Sequence, residues 1–291
     1  GIWITQSDLR YPEAGVASAQ HLVNQEGYST ITDPFHWRNM SRPPTDLLPH
    51  IKEVVTIQDE FRTHFEWGLD HDQLSAKELI SIVEDSGIDL WSRPNRAATV
   101  ANIQRRAVLR EQNVAILGAA IDVEELIQIL ETPTLLIVAD GAAGVFSLLP
   151  DTSAERAWSR LLFMVSDADG GDGTIQAARR GKTIFLHAHG DNREDWKKLL
   201  DISIEASSPP PLVLTHQTPE EIPGMHNPGG FTDGDRAACI ALSLGIPIHR
   251  ITLLGTNTEE VGRWSGTTVR STKLEKLKWM GRILRLLKLD F

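Results

Sequence analysis

Two aspartates, Asp167 and Asp169, stand two residues apart at the end of an apolar run, residues 161–165, and Gly170 follows them at once. Carboxylates at that spacing beyond a buried strand can face one point, and hard divalent cations take oxygen ligands while keeping phosphate or water as further partners. The pair is the candidate metal site, although Asp-Gly is also a common turn dipeptide. His187, His189 and Asp191 occupy alternate positions past another apolar run, with Asn192 beside them. No third ligand with zinc spacing accompanies them. They read as contacts to phosphate or a polar substrate, or more plainly as one buried and one solvated histidine. In residues 227–236, Asn-Pro-Gly-Gly-Phe-Thr-Asp-Gly-Asp-Arg, Gly229 and Gly230 free the backbone to approach a ligand and Thr232 or Asp233 caps a helix. The loop fits neither the Walker nor the dinucleotide fingerprint, and its acids suit a metal-bound phosphate or a polar heterocycle better than a bare anion. Weaker candidates are the Gly118-Ala119-Ala120 turn for a nucleotide and Asp140-Gly141-Ala142 for a ribose or base. Lys273 and Lys276 either neutralise phosphate or belong to a solvated helix face.

Something must bring these turns together. Short apolar runs recur at residues 114–117, 135–139, 161–165, 183–186, 212–214 and 248–254. Between most of them lie segments of helical spacing, at 123–130, 142–149, 174–180, 194–206 and 236–244. Continuous apolar strands alternating with helices predict an α/β domain, a Rossmann-like, mainly parallel sheet with helices on both faces, over residues 94–291. Each run ends in small or polar residues, and in a parallel sheet those ends share the ligand-binding edge. Residues 1–93 read as a small helix-rich domain or cap, holding Trp3, Trp37, Trp67 and Trp91 and the Pro43-Pro44 turn. One helix is predicted over 75–85, with Ser75 as its cap and Glu78 three residues on, and another over 95–111.

The chain has 291 residues and a formal net charge of −10, which argues against general nucleic-acid binding. The acidity is uneven. Between Arg263 and Lys288 eight basic residues meet only Glu275, a segment of +7 that leaves the rest at −17. A lone cysteine, Cys239, excludes an internal disulfide and any multi-cysteine metal site, and with no Gly-x-Ser-x-Gly elbow nucleophilic triad chemistry is not expected. No apolar stretch reaches membrane-spanning length and the first twenty residues lack a signal-peptide pattern, so a cytoplasmic protein is expected, with a homo-oligomer left open.

The strings Ala139-Asp140-Gly141-Ala142, Ser166-Asp167-Ala168-Asp169-Gly170, His187-Ala188-His189-Gly190-Asp191-Asn192, Gln217-Thr218 and 227–237 occur in the order seen in the MptE-like family of archaeal 6-hydroxymethyl-7,8-dihydropterin diphosphokinases. The closing Lys-Leu-Glu-Lys-Leu-Lys-Trp, 273–279, resembles that family's C-terminal signature, and the likeness spans roughly 113–280. The resemblance implies Mg²⁺- and ATP-dependent transfer of a diphosphoryl group to a reduced pterin alcohol, with release of AMP, toward a folate- or tetrahydromethanopterin-type cofactor. It implies that Asp167 and Asp169 hold Mg²⁺, and that Asp191 or Asp235 adds a metal contact or takes the hydroxyl proton. His187, His189, Asn192, Gln217 and Thr218 would contact phosphate or pterin. The 229–235 loop would close over the triphosphate, Arg236 would contact nucleotide or substrate, and Asp233 or Asp140 would read the pterin edge. The likeness departs after the last strand, where Gly255-Thr256-Asn257-Thr258 carries an amide in place of the family's carboxylate, and at the extra Gly171. Two other readings are a metal-dependent glycosyltransferase of the related flagellin-modifying type and a catalytically silent nucleotide-binding protein.

Overall fold

Strand residues alternate between two apolar cores, and that alternation dictates the architecture. In the computed structural model, which describes residues 46–266 and 269–291, Val114 and Ile116 of β1 (Val114–Leu117) face one core while Ala115 and Leu117 face the other. The same division runs through β2 (Leu135–Ala139), β3 (Leu161–Ser166), β4 (Ile184–Ala188) and β5 (Leu212–His216). With β6 (Ile251–Leu254) they form one six-stranded sheet, ordered β5-β4-β3-β2-β1-β6 and parallel throughout. Strands apolar on both faces need cover on both faces, as the sequence predicts.

One face is covered by α1 (Glu53–His64), α3 (Arg93–Ala107), α8 (Asp233–Ser243) and α9 (Arg270–Leu286), which supply Phe61, Ile103, Ile240 and Ile283 to its core. The other is covered by α4 (Val123–Leu130), α5 (Asp151–Arg160) and α6 (Asp172–Arg179) toward β1 and β2. On that same side, α2 (Leu69–Asp85) and α7 (Arg193–Glu205) lie over β4 and β5.

Several expected boundaries shift. Ser75, expected as a cap, lies inside α2, is buried, and accepts a 3.1 Å hydrogen bond from Trp196 Nε1. Residues 140–148 form 3-10 turns before α5, which periodicity missed because its first turns are polar. Ile248–Arg250 is a 3-10 turn and the last strand starts at Ile251. The boundary expected at residue 93 marks no gap in packing: α1 and α3 lie on either side of it and share one core cluster. The remaining N-terminal features, Trp3, Trp37 and the Pro43-Pro44 turn among them, fall outside the described residues. No helix among the described residues is long and apolar enough to cross a membrane.

Candidate active site

The chain adds strands in one direction from β1 to β5, then crosses back through α8 to place β6 on the far side of β1. This reversal opens a crevice beyond the strand ends, where open α/β sheets bind ligands. It is lined by Gly118–Ala120 after β1, Asp140 and Gly141 after β2, Asp169 after β3, Thr232–Gly234 at the start of α8, Gly255–Asn257 after β6, and Lys273 of α9. Glycine is required at Gly141, because a Cβ there would lie 2.5 Å from the Trp264 carbonyl oxygen and 2.9 Å from that of Gly170.

At the crevice floor, Asp140, Asp167 and Asp169 each offer a carboxylate oxygen, all within 4.8 Å of one another. Asp140 is buried, with a φ of +41°, and its side chain meets Ser166 at the end of β3. Its Oδ1 accepts hydrogen bonds from the Ser166 hydroxyl and, at 2.8 Å, from Thr174 Oγ1. Burial, then the charges of Asp233, Asp167 and Asp169, push the Asp140 carboxyl well above the ordinary carboxylate range. Burial and Asp167 raise Asp233 as well, and Asp169, open to solvent on one side, is pushed up to about 6 by burial and Asp167. Asp167 moves the other way. Burial opposes its charge, but the His189 ring and the Arg236 guanidinium outweigh burial and hold it ionised. Its Oδ1 is buried without a hydrogen-bond partner among the described residues. Such an orphaned oxygen is costly, and a cation is the natural partner for three acids so close together. The residues therefore fit a divalent ion.

Lys273 lines the same crevice and makes no ion pair or side-chain hydrogen bond among the described residues. It draws the Asp169 and Asp233 carboxyls downward through its charge. The arrangement pairs an acidic, cation-fitting floor with one free ammonium and glycine-lined walls, a combination suited to a phosphate chain.

Against this geometry, a 6-hydroxymethyl-7,8-dihydropterin pyrophosphokinase of Pyrococcus furiosus is 31% identical over 188 residues, which cover 61% of this chain and 72% of the relative. The chain belongs to this pyrophosphokinase family. Relatives bearing the same name from Methanocaldococcus jannaschii and Methanothermobacter thermautotrophicus are 30% and 36% identical. Those matches cover 66% of this chain and 73% of the first relative, and 45% of this chain and 50% of the second. No family model matches the sequence, and no solved structure matches it.

Within this pyrophosphokinase-family chain the expected residues divide into three groups. Asp140, Gly141, Asp167, Asp169, Asp233, Thr232, Gly118, Ala119 and Lys273 meet at the crevice. Ala142 is fully buried in the core behind it. His189 touches the cluster's outer side, its Nε2 3.4 Å from Asp167 Oδ2 while its Nδ1 accepts from the Asp191 amide at 3.3 Å, an arrangement that puts the ring proton on Nε2. Asp191 itself faces a separate pocket with Trp67 and His71.

The third group is spent on holding the turns. Asp235 was expected to take part in the chemistry, but its oxygens accept from the Phe231 amide at 2.6 Å and the Thr232 amide at 2.8 Å, closing a capping box with Thr232. Arg236 is buried and donates to the Phe231 carbonyl and to Asp233. Gly229 and Gly230, expected to approach a ligand, are buried in left-handed backbone, and added Cβ atoms would strike Val54 and the Arg236 backbone. Asn192 donates to the Asp167 and His187 carbonyls at 2.9 and 2.7 Å and accepts from the His189 amide. His187, its pKa driven down by burial, sits between Thr215 and Gln217, and Thr218 binds His216. Lys276 lies over the Trp67 ring, 5.1 Å from its centroid, rather than in the crevice. Asn257, the departure from the family pattern, accepts from the Glu259 and Glu260 amides and so shapes a turn.

Sequence reasoning missed Trp264, whose ring packs at Gly144 and whose Nε1 donates to the Ile121 carbonyl, and Asp72. Asp72 lies in a helix remote in sequence, yet it accepts from the Gly190 amide, Gln217 Nε2 and Arg62. Its position three residues before Ser75, inside what reads as a loop, left no local signal.

Proposed function

We propose that the chain transfers a diphosphoryl group from ATP to the hydroxymethyl oxygen of a 6-hydroxymethyl-7,8-dihydropterin, with a divalent cation such as Mg²⁺, and releases AMP. The observation that carries this reading is the cluster of Asp140, Asp167 and Asp169 beside Lys273 in a chain of the pyrophosphokinase family. Those three acids would hold the cation, which when bound offsets charge on the phosphates. The rest falls to the protein's own groups. Lys273 meets phosphate oxygens, and the turns at Gly118 and Gly141 line the crevice in which the phosphate chain would lie. His189 orients Asp167 through the 3.4 Å contact. The pterin hydroxyl oxygen bonds to the β-phosphorus while the bond from that phosphorus to the α,β-bridging oxygen breaks. The bridging oxygen leaves on AMP with the electron pair, and the hydroxyl proton passes to a carboxylate of the cluster. Such transfers depend mainly on alignment and charge neutralisation.

The test is direct. Incubation with Mg-ATP and the reduced pterin alcohol should yield AMP and pterin diphosphate in equal amounts. Release of ADP alone, or no turnover, refutes the proposal.

A further inference from the structure

A two-substrate transfer needs room for its acceptor near the acid cluster, and a second pocket adjoins that cluster through His189, whose Nε2 lies 3.4 Å from Asp167 Oδ2. Its walls are Glu66, Trp67, His71, Asp72, His189 and Asp191, contributed by the α1–α2 turn, the start of α2, and the turn after β4. We infer that this pocket is the acceptor subsite, where a neutral heterocycle with an N–H donor edge binds with that edge on Asp191 and its hydroxymethyl arm toward His189 and Asp167. The inference rests on the pterin reading above and adds to it a location and a set of residues.

Charge separates the two pockets. The crevice sets Lys273 against Asp140, Asp169, Asp233 and Glu260, whereas the second pocket is lined by Glu66, Asp72 and Asp191 with no lysine or arginine. A triphosphate entering the second pocket would meet the carboxylates of Glu66 and Asp191 with no ammonium in the lining to offset them. A neutral pyrimidinone edge with adjacent N–H donors meets the acceptors it needs. Among the three acids, Asp72 has both oxygens occupied, by the Gly190 amide on one and Gln217 and Arg62 on the other. Asp191 is exposed, and its carboxylate has no hydrogen bond or ion pair among the described residues. Glu66 is exposed and unpaired in the same way, but Asp191 stands on the turn that carries His189, and it is the carboxylate placed to read a ligand by two parallel hydrogen bonds beside the acid cluster.

The pocket is also built rather than incidental. Asp72 Oδ1 accepts the Gly190 amide at 2.8 Å, so a buried carboxylate of α2 pins the turn that carries both His189 and Asp191. A Cβ on Gly190 would lie 2.8 Å from the His71 Cβ, so helix and turn are in contact at that point. Buried Arg62 ties Asp72 to the Gln217 carbonyl at 2.7 Å, and the Trp67 amide returns to the Arg62 carbonyl at 2.9 Å. Glu66 completes the wall in left-handed backbone, φ +57°. His189, another of the pocket's walls, reaches Asp167 Oδ2 with Nε2 at 3.4 Å.

The experiment compares Asp191→Asn and His71→Gln with the parent chain, using Mg-ATP and the reduced pterin alcohol. Loss of a charged hydrogen-bond pair is worth about 1.5–3 kcal/mol, so Asp191→Asn should raise the pterin KM roughly 10- to 100-fold. His71→Gln should raise it by a smaller factor. The ATP KM, and the affinity for a non-hydrolysable ATP analogue measured by calorimetry, should stay within about twofold of the parent, because the crevice is untouched. An unchanged pterin KM in both variants, with an active parent, overturns the subsite and leaves the proposed reaction standing. A parallel rise in both KM values overturns it too. A parent that turns over no pterin overturns the reaction and the subsite together.

Discussion

Replacing Asp140 with Asn should make the cation-free protein more stable and at the same time remove its response to cations. The side chain keeps its shape, and Oδ1 still accepts from Ser166 and Thr174. What disappears is a buried carboxyl whose pKa is raised well above 3.8, first by burial and then by three neighbouring acids. A raised carboxyl means that the folded chain binds more protons than the unfolded one, so this group's contribution to stability falls as pH rises from its unfolded value. Each unit by which the folded pKa exceeds the unfolded one, up to the working pH, costs about 1.36 kcal/mol. Relaxation of the site lowers the expected gain for Asp140→Asn to about 1–3 kcal/mol, or roughly 3–10 °C in Tm. The gain should shrink toward zero as pH falls from 7 to 4. In the parent, Mg²⁺ at 100 times its Kd should add about 2.7 kcal/mol, and in the variant that shift should largely vanish. Thermal melts of both proteins at pH 4, 5, 6 and 7, with chelator and with Mg²⁺, provide the measurement. A variant no more stable than the parent at pH 7 in chelator, with an undiminished Mg²⁺ shift, would refute the assignment of Asp140 to a charge-strained cation site.

Asp167→Asn should lower kcat by several orders of magnitude in the AMP-release assay, and near-normal turnover would remove Asp167 from the proposed cation site. Lys273→Met should raise the ATP KM by roughly ten- to hundredfold through loss of a phosphate partner, whereas Lys276→Met, over the Trp67 ring, should change it less than about twofold. Equal effects in initial-rate measurements would contradict the division between the two lysines. Gly230→Ala combines a φ of +96° with a Cβ 2.6 Å from the Arg236 Cα. It should destabilise the fold by about 2–4 kcal/mol in urea unfolding, and a change under about 0.5 kcal/mol would disprove the need for glycine at that position.

The sheet was legible because its strands are apolar on both faces. β1 and β2 match the expected runs residue for residue, whereas β6, half-buried at the edge, was overextended into its preceding turn, and β4, expected over 183–186, runs Ile184–Ala188 and takes in His187. Part of the acidic floor was legible too, since Asp167 and Asp169 follow a strand end, whereas Asp140, expected at a ribose, base or pterin edge, joins them within 4.8 Å. What sequence could not distinguish was ligand contact from loop maintenance. A glycine pair before a capped helix has the same appearance whether it meets phosphate or, as at Gly229 and Gly230, Val54 and the Arg236 backbone. Asp235 and Asn192 likewise spend their polar atoms on nearby amides and carbonyls. Asp72 and Arg62 escaped notice for the opposite reason: their partners lie 118 and 155 residues away.

The return of the chain from β5 to β6 carries a consequence for how the protein is made. By the time β5 leaves the ribosome, the acids after β2 and β3 and the whole pocket around Asp191 have been synthesised, but the crevice has only part of its wall. The start of α8, the turn after β6, and Lys273 of α9 all come later. Synthesis thus produces the cluster of like charges before its compensating ammonium, and the site is completed only by the last fifth of the chain. A nascent chain arrested before residue 251 should retain the parallel core of β1 to β5 yet have no closed crevice, making acquisition of the site a late event in folding.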